Sequence, residues 1–152
     1  VSRIQLALRV PDLRAAITFY SKLFGVEPTK LRDDYANFAI ADPPLKLVLI
    51  EGTAGEDTRL DHLGIEVAST QEVKEAATRL AQAGLATAEE NDTTCCYALQ
   101  DKVWVRGPGQ EPWEVYVVKA DADTLAKQPT GSCCTPDDTA VPEQQPAAAN
   151  CC

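Results

Sequence analysis

An internal repeat limits how this chain can fold more than any other feature. Gln5-Leu6-Ala7-Leu8-Arg9-Val10 returns as His62-Leu63-Gly64-Ile65-Glu66-Val67, and Pro44-Leu45-Lys46-Leu47-Val48 returns as Pro112-Trp113-Glu114-Val115-Tyr116. A period of about 57 residues is too long for most solenoid units and suits a duplicated half-domain. Each copy opens on a run of alternating polar and aliphatic residues, which predicts a strand. Each continues into a helix. In the first, Asp12 is a good N-cap, Leu13, Ala16, Ile17, Tyr20, Leu23 and Phe24 form one apolar face, and Gly25 can end the helix in a left-handed conformation. In the second, Ser69-Thr70-Gln71-Glu72 is a capping box, Val73, Ala76, Ala77, Leu80 and Ala81 form the apolar face, and Gly84 ends it. Three strands follow in each copy, over 27–31, 35–41 and 45–51, then over 86–91, 97–105 and 113–119. Asp33-Asp34 and Pro43-Pro44 mark the turns of the first set. The segment 91–97 is polar and lies between strands, so it is expected to be a movable connection. The predicted class is α+β, with two βαβββ modules spanning about 1–53 and 60–119.

Beyond residue 119 the composition changes. The last stretch has no aromatic residue, four of the ten prolines, and five acids against one base. Such a segment cannot bury much apolar surface, so residues 120–152 are expected to form a flexible, disordered tail. A length of 152 residues otherwise suits one domain. The net charge of −9 argues against nucleic acid or an anionic membrane as partner, because both require a basic footprint. No apolar run approaches the ~20 residues of a membrane-spanning helix, and no secretory signal pattern is present. The six cysteines stand as three adjacent pairs, Cys95–Cys96, Cys133–Cys134 and Cys151–Cys152. Adjacent cysteines bridge each other only with strain, so this is not a disulfide framework. Paired free thiols suit a reducing compartment, and the cytoplasm is the expected location.

Chemistry concentrates on few residues. His62 is the one histidine, and a lone histidine is more often structural than a ligand. It nevertheless begins a strand beside Asp61, and the repeat sets Gln5 at the matching point of the first copy. Glu114 is a carboxylate on an apolar strand, where it shares one face with Tyr116 and Val118. A buried carboxylate needs a partner. A Lys or Arg, or water at a sheet edge, would serve as well as a metal. Cys95 and Cys96 can present two soft sulfurs to one thiophilic atom, such as trivalent arsenic, Cd²⁺ or Hg²⁺. Thiolate is the binding form, with an ordinary pKa of about 8.5, so binding is expected to weaken as pH falls.

These residues resemble the vicinal oxygen chelate superfamily, which includes glyoxalase I, extradiol dioxygenases and bleomycin-resistance proteins. That resemblance implies a curved, incomplete barrel of mixed sheet. It implies that Gln5, His62 and Glu114 are the metal ligands, with a fourth ligand position falling on Lys46. A protonated lysine cannot ligate, which leaves three ligands and open positions. A His, Gln and Glu set resembles the facial triad of non-haem Fe(II) oxygenases, with an amide in place of one histidine. The segments Ser2–Leu8, Phe19–Gly25, Tyr35–Ala41, Pro44–Leu49 and Cys95-Cys96-Tyr97 further resemble the Fe(II)-dependent organoarsenical C–As lyases. In that branch the vicinal cysteines hold the arsenic of methylarsenite or an aromatic arsenical, and iron and O₂ serve its cleavage to arsenite. The resemblance thus implies Fe(II) as cofactor, a small trivalent organoarsenical and O₂ as partners, and a monomer or homodimer. Cys133, Cys134, Cys151 and Cys152 would be auxiliary thiols. The competing expectations are a thiol-based arsenic- or cadmium-binding resistance protein and another three-ligand dioxygenase of the same superfamily.

Overall fold

The computed structural model describes residues 2–125; the cysteines at 133, 134, 151 and 152 lie outside the described residues. The order is β1 (Arg3–Val10), α1 (Leu13–Phe24), β2 (Lys30–Arg32), β3 (Tyr35–Ile40), β4 (Leu45–Glu51), then β5 (Arg59–Glu66), α2 (Thr70–Gln82), β6 (Thr87–Cys95), β7 (Ala98–Arg106) and β8 (Pro112–Asp121). The βαβββ unit therefore occurs twice, as the repeat requires. All eight strands join one curled sheet in the order β2-β3-β4-β1-β5-β8-β7-β6, an incomplete barrel. Within each module the first strand lies parallel to the last, β1 on β4 and β5 on β8. Between modules β1 and β5 pair antiparallel at the centre of the sheet, with Ala7 opposite His62 and Gln5 opposite Gly64.

Both helices form where the caps direct. Asp12 accepts the backbone N–H of Ala15 at 2.9 Å, and Gly25 closes α1 at φ 67°. Ser69 Oγ accepts the N–H of Glu72, whose carboxylate accepts the N–H of Ala68 in return. Leu13 of α1 packs with Val10, Phe38, Leu47 and Leu49, while Val73, Ala77 and Leu80 of α2 pack on Val103, Val115 and Val117. The helices cover one face of the sheet. Because side chains alternate, Ala7, Tyr35, Val48 and Ile50 form a separate cluster on the other face. That second face carries the site.

Several local expectations are corrected. Leu23 lies at the margin of its helical stripe and is 58% exposed, and Ala81 of α2 is exposed as well. The 91–97 segment is not a loose connection. Residues up to Cys95 are strand, and Cys96 and Tyr97 alone make the turn into β7, with φ of 54° and 59°. A two-residue hairpin turn favours positive φ at both positions, because its twist then matches the strands. The turn is pinned from outside: Leu125 and Thr124 carbonyls accept the N–H groups of Cys96 and Tyr97, and the Tyr97 carbonyl accepts that of Ala122. β8 runs to Asp121, two residues past its expected end.

Candidate metal and thiol site

Gln5, His62 and Glu114 meet where the two modules join. Gln5 stands on β1, His62 on β5 and Glu114 on β8, three neighbouring strands of the sheet. The Gln5 Nε2 atom is 3.0 Å from His62 Nε2 and 2.8 Å from Glu114 Oε1, and His62 Nε2 is 3.3 Å from that same oxygen. All three are buried. Among the described residues no cluster of three His, Cys, Asp or Glu side chains offers a metal site. A divalent ion here would depend on the amide of Gln5.

Each member of the set is held by a further group. His62 Nδ1 lies 2.6 Å from Asp61 Oδ1, and Arg9 Nε lies 2.6 Å from the other oxygen of Asp61. This directs Nε2 at Gln5 and Glu114, the orientation a ligating histidine receives from a carboxylate partner. Burial works against the imidazolium, but the hydrogen bonds and charges of Asp61 and Glu114 outweigh it and push His62 up to about 9. Lys102 Nζ donates to Glu114 Oε2 at 2.7 Å. Burial would raise the Glu114 carboxyl, but the Lys102 charge and the His62 hydrogen bond hold it well below the usual range. The partner that Glu114 requires is thus a lysine on one oxygen, while its other oxygen faces His62. The Trp104 and His62 rings meet in a T-shaped contact, with centroids 5.6 Å apart.

The donor set suits a divalent ion that displaces the His62 proton: an imidazole nitrogen, a carboxylate oxygen and an amide lie within 3.3 Å of one another, with one carboxylate oxygen already neutralised. Lys46 does not complete a fourth position. It pairs with Gln5 in the β1–β4 register, but its Nζ lies 3.5 Å from Glu66 Oε2 and 5.0 Å from the centroid of the Tyr116 ring. Burial draws its pKa down.

A cavity of about 290 Å³ opens onto the set. Gln5, His62, Glu114 and Lys46 line it, and so does Cys96. The thiol is therefore a neighbour of the candidate metal site. Burial pushes Cys96 up to about 12, so it rests as a neutral thiol. Cys95 is buried behind it, with the two sulfurs 3.5 Å apart. Cys96 is a free thiol.

Sequence reasoning missed Lys102, Tyr116, Glu66 and Gln100. The signal for two of them was present. Gln100, Lys102 and Trp104 alternate with Val103 along β7, so they share the face opposite α2. Gln100 is buried, donates to the Cys95 carbonyl at 2.9 Å, and leaves its Oε1 without a partner among the described residues.

Comparison with known proteins agrees with this fold. The model of the Glyoxalase/Bleomycin resistance protein/Dioxygenase superfamily matches residues 3–115. A trivalent organoarsenical cleaving enzyme of Thermomonospora curvata is 70% identical over 139 residues, covering 91% of this chain and 92% of that protein. The cadmium-induced protein CadI of Mycobacterium tuberculosis is 60% identical over 131 residues, covering 85% and 84%. Among solved structures, an extradiol ring-cleaving dioxygenase from B. fuscum superposes with a TM-score of 0.57 at 20% identity, covering 80% of this chain and 34% of that one. A Mn(II)-bound glyoxalase from Novosphingobium aromaticivorans gives 0.56 at 21%, covering 83% and 44%. This chain thus spans about a third of the dioxygenase and under half of the glyoxalase; at such identities the likeness is one of fold.

Proposed function

This chain belongs to the glyoxalase/bleomycin resistance protein/dioxygenase superfamily, and from that premise we propose that it cleaves the carbon–arsenic bond of trivalent organoarsenicals and releases arsenite. One observation carries the reading: the free thiol of Cys96 lines the same cavity as Gln5, His62 and Glu114. The 70% identity to an organoarsenical cleaving enzyme supports it.

In this reading Gln5, His62 and Glu114 hold Fe(II), and Cys95 and Cys96 hold arsenic. Fe(II), when bound, supplies a redox-active centre with positions open to O₂. The residues of the chain do the rest. A neutral thiol condenses with an arsenic-bound hydroxyl, forming a sulfur–arsenic bond and releasing water, with no net change in protonation. Two such condensations fix the arsenic at two points and restrict how the substrate can turn. Fixing it in this way removes much of the orientational cost of the reaction. Lys102 keeps Glu114 ionised and occupies one of its oxygens. Asp61 keeps His62 Nε2 aimed at the ligand set. The double grip requires both cysteines as thiols, and the cytoplasm is the compartment that favours this. The cysteines of residues 120–152 would raise the local concentration of arsenical near the site.

The decisive experiment loads the reduced protein with Fe(II) anaerobically, then adds O₂ and methylarsenite and follows arsenic speciation. Arsenite is the expected product, lost in Cys96→Ser and in His62→Ala. Methylarsenite that stays bound but intact would replace the proposal with thiol-based sequestration. That second reading is favoured by the 60% identity to a cadmium-induced protein.

A further inference from the structure

Of the three side chains in the ligand set, Gln5 is the one whose end can be reversed without moving anything else. The structure places its nitrogen inward, against His62 and Glu114, and its oxygen outward, 2.5 Å from the Tyr116 hydroxyl. That hydroxyl also lies 3.0 Å from Glu66 Oε2. Glu66 is ionised, because Arg3 reaches its two oxygens at 3.1 and 3.2 Å and Lys46 stands 3.5 Å away. It can only accept.

Counting protons shows the tension. Tyr116 has one hydroxyl proton and two acceptors within reach, Gln5 Oε1 and Glu66 Oε2. With the amide nitrogen inward, one acceptor goes without. Half a turn of the amide removes the conflict: Nε2 donates to Tyr116, and Tyr116 donates to Glu66. The same turn brings Oε1 to the place where His62 Nε2 and Glu114 Oε1 already converge. Two oxygens and the His62 nitrogen then converge on one point, and a cation answers them. Gly64 leaves room for this arrangement, since a Cβ there would lie 3.1 Å from Gln5 Cβ and from the Tyr116 ring and 3.2 Å from Gln5 Nε2.

We propose that Glu66 and Tyr116 form a hydrogen-bond switch that turns the Gln5 amide over when a divalent metal binds. The amide presents nitrogen inward in the metal-free protein and oxygen inward in the loaded one. Tyr116 and Glu66 are positioning residues here, acting on the metal through Gln5. The inference rests on the metal reading of Gln5, His62 and Glu114.

Two measurements without turnover test it. The first is NMR of the side-chain amide of Gln5 in the metal-free and Zn(II)-loaded protein. Its NH₂ protons should contact the His62 ring in the metal-free state and the Tyr116 ring in the loaded state. The second compares Co(II) affinity in wild type, Glu66→Ala, Tyr116→Phe and the double variant. Losing Glu66 should weaken Co(II) binding about tenfold, as outer partners of ligands typically do. The loss should be clearly smaller in the Tyr116→Phe background, where no proton remains to be routed. An equal loss in both backgrounds would mean that Glu66 acts only by its charge, and would overturn the switch. So would Zn(II) binding with the NH₂ protons unmoved, leaving the metal site intact. A protein that binds neither Zn(II) nor Co(II) overturns the metal reading, and the switch with it.

Discussion

At the scale of single residues, two positions carry measurable consequences. Gly64 lies between Gln5 and Glu114 in the sheet register, and its missing side chain lets the Gln5 amide and the Tyr116 ring close on each other. Gly64→Ala should therefore weaken Co(II) binding about tenfold, read by titration. Its effect on unfolding should be small, because the lower chain entropy of alanine, about 0.5–1 kcal/mol, offsets the tighter contact. Cys96 makes the second prediction. A thiol pushed up to about 12 stays protonated across the neutral range. Thiol and arsenic hydroxyl then combine with loss of water and no proton, so the contribution of Cys96 to methylarsenite affinity should be flat between about pH 6 and pH 9. Equilibrium dialysis of the reduced, metal-free protein measures it. The ordinary thiol pKa assumed from sequence led to the opposite expectation, because burial is invisible in the order of residues. Lys102 was hidden for a related reason: a lysine in a strand reads as a solvated face until its neighbours are known.

At the scale of elements, the helices were the most legible part of the chain. Caps and apolar stripes are local, and local signals survive folding. Ser69→Ala removes the acceptor for the Glu72 N–H and should cost about 1 kcal/mol in chemical denaturation. It should leave metal affinity unchanged, since α2 packs on the face opposite the site. The β6–β7 hairpin was the least legible. Its turn uses Cys96 and Tyr97 at positive φ, where Gly or Asn would have announced it. Tyr97 is retained there by contacts distant in sequence: its hydroxyl donates to Asp34 at 2.5 Å and its ring makes a T-shaped contact with Tyr35. The same turn sets the Cys96 thiol in the cavity.

At the scale of the whole molecule, residues far along the chain brace the thiol turn. Carbonyls of Thr124 and Leu125 hold the backbone of the thiol turn. A chain ending at Ala120 should therefore bind methylarsenite more weakly than one ending at Leu125, when both are reduced and compared by dialysis. Equal affinity would show that the turn holds itself. The internal repeat alone determined the twofold βαβββ plan and placed Gln5 and His62 at matching points, because duplicated patterns of apolar residues impose duplicated elements. It also picked out Glu114, since a carboxylate among aliphatic residues must find a partner. What only the tertiary structure decided is how those groups are held: Lys102 on Glu114, Tyr116 on Gln5 with Glu66 behind it, and Cys96 beside all three. Each of these pairings joins different strands or adds a burial effect. Strand register and desolvation arise from the assembled sheet, and no local pattern of residues encodes them.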